Sequence, residues 1–312
     1  MTDIKDIPEK TPDFDEDNFE LLEDPPLPKV SEFKRFVRVF FSRKIVAISF
    51  VVVILILLMA AFADYVAPYG SNEQDLLNVL APPSREHWLG TDPIGRDLLS
   101  RIIYGSRIAL LVGVATTFIA AFIGTAIGLV AGFIEGPIEG IIMRAVDAWI
   151  SIPPLILMLI IAGILGSGLF GTIIAVGLTM FPGYIRLIYG QVLTVKQNDY
   201  VLASRAMGDS KTRIAIRHIL PNCVSPLIVM MTMMMGSSIL MEAGLSYLGL
   251  GIRPPTPAWG SMTRDGYLYL GRAPLLSIAP GIAVVILVFA YNMVGDGLRD
   301  ALDPRLRGTL DD

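Results

Sequence analysis

Long apolar stretches alternate with polar connections along this chain, and the alternation predicts six membrane-spanning helices. The first covers about 45–62 without a charge, and the second falls within 108–134. Residues 148–185 are uncharged and too long for one span. Gly166-Ser167-Gly168 is the natural break, with a third span before it and a fourth running to about 195. The fifth covers about 223–241 and the sixth about 275–294. Crossing a bilayer takes about 20 apolar residues. Six is even, so both termini lie on one side. Lys34, Arg35, Arg38, Arg43 and Lys44 precede the first span, and Arg299, Arg305 and Arg307 follow the sixth. The segments 63–107 and 242–274 are poorer in basic residues, and the first carries Asp64, Glu73, Asp75, Glu86, Asp92 and Asp97. Positive charge stays inside, so the expectation is N-in and C-in.

The polar run at 200–222 interrupts this pattern between the fourth and fifth spans. It reads as two short helices back to back. Asn198 or Asp199 can cap the first, and Gly208 ends it where a left-handed residue is tolerated. Ser210 can cap the second, and Pro221 is expected to stop it. Lys196, Arg205, Lys211, Arg213 and Arg217 put it on the inner side. A helical hairpin with small side chains is most simply used to dock another protein.

Composition supports the membrane reading. Of 312 residues, 53% are hydrophobic and 17% charged, with a mean hydropathy of +0.61. A soluble domain of this length carries more charge. A single cysteine excludes an intramolecular disulfide, and with two histidines it argues against structural zinc. The net charge of −4 says little, because the charges are unevenly placed. Residues 1–30 are acidic and proline-rich, unlike a secretion signal, and are expected to be a disordered cytoplasmic tail: a solvated tail or a regulatory contact. In 31–44, Phe33, Phe36, Val37 and Phe40 recur at helical spacing with Lys34, Arg35 and Arg38 opposite. This reads as an amphipathic interfacial helix, or as an extension of the first span.

Several constellations bear on chemistry. No glycine is followed directly by lysine, so no phosphate loop exists and any ATPase is another chain. Gly124, Gly128 and Gly132, extended by Ala120 and Thr116, form a small-residue stripe. It serves helix packing within one subunit or a dimer seam. Arg144 and Asp147 can neutralise each other three residues apart. They are followed by Ser151 and Pro153-Pro154, which must disturb the helix. That set reads as a hinge or pathway lining, or as a kink its neighbours accommodate. Glu242, Asn292 and Asp296 lie near predicted span ends, where solvated roles are commoner. His87, Asp92 and Asp97 have no familiar metal spacing, and an ordered turn is the better reading. No nucleophile–base arrangement occurs.

Together these segments resemble the permeases of ATP-binding-cassette importers, and more closely the second membrane subunit of the oligopeptide/dipeptide (and nickel) family. The resemblance rests on HWLGTDPIGRDLLSRIIYGSRIAL at 87–110, MRAVDAWISIPPLILML at 143–159 and DYVLASRAMGDSKTRIAIRHILPN at 199–222. It continues through MEAGLSYLGLGIRPPTPAWGSM at 241–262 and GDGLRDALDPRLRG at 295–308. It implies an all-α, type I importer permease fold of six spans over 45–312, with a core at about 103–298. The family's coupling loop, E-A-A-x-x-x-G and then I-x-L-P, is matched by Ala203, Gly208, Leu220 and Pro221. Leu202 stands for the acid, Ser204 for the second alanine and His218 for the isoleucine. Asp199, Tyr200, Arg205 and Met207 belong to the same loop, and the missing acid implies docking by shape more than by that charge. The implied partners are a homologous second permease, two ATPases that hold ATP and Mg, an extracellular or periplasmic substrate-binding protein, and the lipid bilayer. No nucleic acid, metal or cofactor on this chain is implied. The implied role is a non-enzymatic, multi-pass subunit of the cytoplasmic membrane that imports di- or oligopeptides by alternating access, or else nickel, glutathione or another small solute.

Overall fold

In the computed structural model, residues 32–134 and 136–302 are described, and they form helices joined by turns and loops. The acidic tail expected at 1–30, and Arg305 and Arg307, lie outside the described residues. A short helix α1 (Glu32–Phe40) precedes α2 (Lys44–Ala61), which is followed by a single turn, α3 (Ala63–Val66). A loop leads to α4 (Leu98–Phe133), a rod of 36 residues. The second span therefore starts ten residues before its apolar window. Asp97 is the reason: its side chain caps the helix by accepting from the Ser100 amide.

The third span is where the apolar window and the backbone part company. Residues 137–165 form two helices, α5 (Pro137–Ile150) and α6 (Pro154–Leu165), bent by 91° at Pro153-Pro154. Proline lacks an amide hydrogen and its ring clashes with the preceding turn, so two in succession break the helix outright. Then come α7 (Leu169–Val195), α8 (Asp199–Ala206) and α9 (Lys211–Ile214), a π turn at Ala215–Ile219, α10 (Leu220–Tyr247), α11 (Trp259–Tyr267) and α12 (Leu275–Leu302). Among the described residues, five rods are long and apolar enough to cross a membrane, or six if the bent pair is one span.

Pro221 does not stop its helix. Residues Lys211–Tyr247 run on as one rod of 37 residues. The π turn at Ala215–Ile219, immediately before α10, absorbs the register change that the missing proline amide imposes on the continuing rod.

The core lies where α4 runs along α7 and α10, with α12 and α2 closing the far side. Small residues set the spacing. A Cβ on Gly236 would approach the Val288 carbonyl to 3.1 Å, and one on Gly295 would lie 2.5 Å from Met233. Gly297 sits equally tightly on Val46. These contacts bring the start of α2, the start of α10 and the end of α12 to one end of the bundle, called here the hairpin end. There Phe36, Val39 and Phe40 of α1 pack on Val46, Phe50, Leu298 and Ala301. Arg43 pairs with Asp300 at 3.1 Å. α1 is thus a separate helix seated on the end of α12, with Phe33 left exposed.

Candidate functional site

The connection at 196–219 is built by local signals. Asn198 takes the N-cap position of α8 with extended backbone, yet makes no side-chain cap bond. Its amide donates instead to the Tyr200 hydroxyl at 3.4 Å. Gly208 follows α8 with φ of +89°, and an added Cβ there would meet nothing within 4 Å. Glycine is needed for backbone conformation, not for space. Ser210 caps α9 by accepting from the Arg213 amide. Between the two helices the Ser204 hydroxyl donates to Asp209 Oδ2 at 2.6 Å, and Arg213 donates to Oδ1 at 2.9 Å. These bonds, the Ser204 one first, hold the Asp209 carboxyl below its ordinary value. Ser204, one of the departures from the family loop, is therefore the buried residue that ties the hairpin shut.

The hairpin is seated on the bundle by apolar packing. Val201, Ile214 and Ile219 are buried against Ile188, Val192 and Val195 of α7 and Cys223 of α10, with Leu129 and Phe133 of α4 alongside. Asn222 closes the base, donating to the His218 carbonyl at 2.6 Å and the Tyr200 hydroxyl at 3.2 Å. Residues 200, 203 and 207 share one helical face. Tyr200 is 45% exposed, Met207 79% exposed, and Ala203 is exposed between them. Asp199 and Arg205 are exposed as well, Leu220 is half-buried and Pro221 is exposed. A body anchored to three long helices thus presents a free face of mixed apolar and polar character.

The glycine stripe faces α7. A Cβ on Gly124 would overlap Tyr184 Cβ and approach the Phe181 carbonyl to 2.8 Å. On Gly128 it would lie 2.8 Å from the Ile185 carbonyl, and on Gly132 it would lie 2.6 Å from Val192 Cβ. Ala120 and Thr116 are fully buried along the same helix. Overpacking such a site costs roughly 1–3 kcal/mol. The pairing expected between Arg144 and Asp147 is not made. Asp147 bonds Arg186 of α7 at 2.6 Å, which links α5 to α7 across 39 residues of sequence. Ser151 caps the end of α5 and donates to the Ala148 carbonyl at 2.7 Å, and Pro153 occupies the break itself.

At the opposite end of the bundle, His87 Nδ1 lies 3.0 Å from Asp97 Oδ1. Asp97 Oδ2 accepts from the Ser100 amide at 2.7 Å and hydroxyl at 2.6 Å. Asp92 holds Arg96 at 2.6 Å. Glu242 is not at the end of its helix but buried within α10, where its Oε1 accepts from Ser246 Oγ at 2.7 Å. The Ser246 oxygen in turn accepts from the Ile252 amide at 3.0 Å. Sequence windows could not find this chain of bonds, because α10 runs six residues past its apolar segment. Ser167 and Gly168 join the same region, through Arg253 Nη2 to Ser167 Oγ and the Gly168 amide to the Gly251 carbonyl, both at 3.0 Å.

Comparison with known proteins places these features in context. Residues 124–308 match the family described as binding-protein-dependent transport system inner membrane component. Residues 31–83 match the N-terminal TM domain of oligopeptide transport permease C. The chain is similar to the di/tripeptide transport system permease protein DppC of Pseudomonas aeruginosa, 42% identical over 290 residues, or 91% of this chain and 96% of that one. It is also similar to the glutathione transport system permease protein GsiD of Escherichia coli O157:H7, 42% identical over 257 residues, 82% of this chain and 85% of that one. Among solved structures it resembles the inward-facing MetNI methionine ABC transporter. The TM-score is 0.56 at 20% identity, over 66% of this chain and 98% of that one.

Proposed function

Because the chain belongs to the binding-protein-dependent transport system inner membrane components, as a multi-pass ABC importer permease of the oligopeptide/dipeptide group, we propose that it forms half of a peptide pore driven by separate ATPases. The observation that carries this reading is the anchored hairpin with the exposed face of Tyr200, Ala203 and Met207. Movement of α8 is transmitted to α4, α7 and α10 because Val201, Ile214 and Ile219 are buried in the ends of those helices. An ATPase that grips the free face therefore moves the bundle as a lever. The hairpin end is the cytoplasmic end, as its basic residues favour.

In this reading ATP and Mg reside on two ATPase subunits, and this chain contributes no nucleotide site. A homologous permease supplies the other half of the pore. A substrate-binding protein delivers cargo at the opposite end. The glycine stripe supports the reading as a packing seam between α4 and α7. The Pro153-Pro154 break, with Asp147 tied to Arg186, supports a hinge beside the pathway. The domain layout follows: a tail at 1–30, an accessory helix at 31–44 and the permease body beyond.

Di- or tripeptides are the favoured substrates, since the similar DppC extends over nearly the whole chain. Glutathione is the second reading, carried by the similar GsiD. The test is reconstitution with the sister permease, both ATPases and the cognate binding protein. Uptake of labelled peptide that stops without ATP supports the proposal. A binding protein that retains glutathione and no dipeptide would shift it to the second reading. Recovery of the chain in mild detergent with no ATPase would overturn the coupling role.

A further inference from the structure

We propose that α1 binds anionic phospholipid, with Phe33, Val37 and Phe41 at the acyl boundary and Lys34 and Arg38 on the headgroup phosphates. The spacing groups Phe33, Phe36, Val37 and Phe40 on one side, but the bundle uses only part of that side. Phe36, Val39 and Phe40 pack on Val46, Phe50, Leu298 and Ala301. Phe33 is 74% exposed, Phe41 is 42% exposed, and Val37 is half-buried outside that cluster. The Phe41 amide donates to the Val37 carbonyl at 3.0 Å, which keeps Phe41 on the helical path beyond the last residue of α1. Phe33, Val37 and Phe41 therefore lie four apart on one free flank. Lys34 and Arg38, also four apart, stand exposed on the adjoining flank.

The setting of α1 makes lipid the occupant of those flanks. Lys44 opens α2, which is long and apolar enough to cross a membrane and carries no charge after that first residue. α1 ends just before it and so stands at the edge of the bilayer. It is folded back on α2, not extended from it. The Phe41 and Phe50 rings meet edge to face with centroids 5.6 Å apart, and Phe50 lies about 9 Å along α2 from Lys44, at 1.5 Å per residue. Ile45 and Ile48 are exposed in the first turns of α2. Charge then selects among lipids. Residues 33–44 hold Lys34, Arg35, Arg38, Arg43 and Lys44 and no acid. Arg43 is engaged by Asp300, which leaves Lys34 and Arg38 to face a headgroup. An apolar flank beside a basic one lies in the membrane interface, and basic residues there favour anionic headgroups. The contact rests only on α2 crossing the membrane, not on the coupling role of the hairpin.

The test places the full chain, with Phe33→Cys carrying a bimane fluorophore, in nanodiscs that contain a lipid spin-labelled on its acyl chain. The native Cys223 is fully buried. Quenching by spin-labelled phosphatidylglycerol is expected to be about threefold stronger than by spin-labelled phosphatidylcholine at equal content. Lys34→Glu with Arg38→Glu is expected to abolish that preference. Leu55→Cys, at an exposed position deeper in α2, should be quenched equally by both lipids with or without the charge reversal. Should the reversed variant fail to insert, salt supplies the second measurement. Raising it from about 0.1 to about 0.5 M should at least halve the preference in the otherwise unsubstituted chain. Equal quenching by the two lipids, no quenching by either, or a preference that ignores both charge reversal and salt overturns the proposal. The measurement is repeated with the sister permease and both ATPases assembled. Quenching that persists keeps lipid as the occupant, and quenching that disappears gives the face to a partner subunit and overturns the proposal. Failure of the ATPases to join bears on the coupling role and leaves the result for the chain alone to decide this contact.

Discussion

Two polar connections of this bundle, one at each end, are put to different uses. At the end opposite the hairpin, His87, Asp92, Asp97, Ser100 and Arg101 are all buried, and their donors and acceptors face one another. At the hairpin end, Ser204 and Asp209 close a much smaller internal network, while Tyr200, Leu202 and Met207 stay exposed. A buried polar group without a partner is costly, so the first connection must satisfy itself. Exposed apolar side chains on an anchored element have no such internal use. The difference separates a connection that holds the fold from one that offers a surface.

Substitutions rank the two ends by their effect on stability. Asp97→Ala should cost most, about 3 kcal/mol, because it removes a helix cap and leaves His87 buried without its partner. Thermal unfolding of the purified permease measures it, and a loss below about 1 kcal/mol would mean that the buried network is not what holds that end. Gly132→Val should follow at roughly 2 kcal/mol, through overlap with Val192 at the seam beneath the hairpin. Gly208→Ala should cost about 1 kcal/mol, from the left-handed backbone alone, since nothing crowds its Cβ. A cost for position 208 as large as that for 132 would show that the hairpin is packed as tightly as the seam.

Local signals in the sequence carried the hairpin well. Gly208 and Ser210 act within a few residues, so their positions were readable, and so was the interruption at Pro153-Pro154. Pro221 misled because a proline that a preceding π turn accommodates looks the same in sequence as one that ends a helix. The 91° bend was not legible either, since its size depends on where α6 finds packing. Asp147 pairs with Arg186 and Ser204 with Asp209 for the same reason: tertiary placement decides between acceptable partners. Glu242 reads as a span end because hydropathy windows stop where polar residues begin, whereas the backbone continues to Tyr247. A cleft of about 610 Å³ between the end of α4 and the α8–α9 pair combines residues from 133 to 214, and no sequence pattern announces it.

Acid pH addresses the hairpin without any substitution. The folded state lowers the Asp209 carboxyl below its ordinary 3.8, first through Ser204 and then through Arg213. Its contribution is therefore full above that value and is lost as pH falls through the lower folded one. Hydrogen exchange at residues 199–214 should rise in that acid window, and Ser204→Ala should move the rise to higher pH. Exchange that ignores Ser204→Ala would show that the Ser204–Asp209 bond does not close the hairpin.

The smallest effect on stability decides most about function. Met207→Asp changes a side chain that is 79% exposed, so stability should move by no more than about 0.5 kcal/mol. The same change puts a charge at the end of the face formed with Tyr200 and Ala203. If an ATPase covers that face, the charge is desolvated without a partner, and co-purification of the ATPase should fall at least tenfold. Unchanged recovery of the ATPase would place the contact elsewhere on the hairpin. A large loss of thermal stability would instead make Met207 part of the fold. The contrast between the two ends of the bundle would then disappear, because both connections would be spending their side chains on themselves.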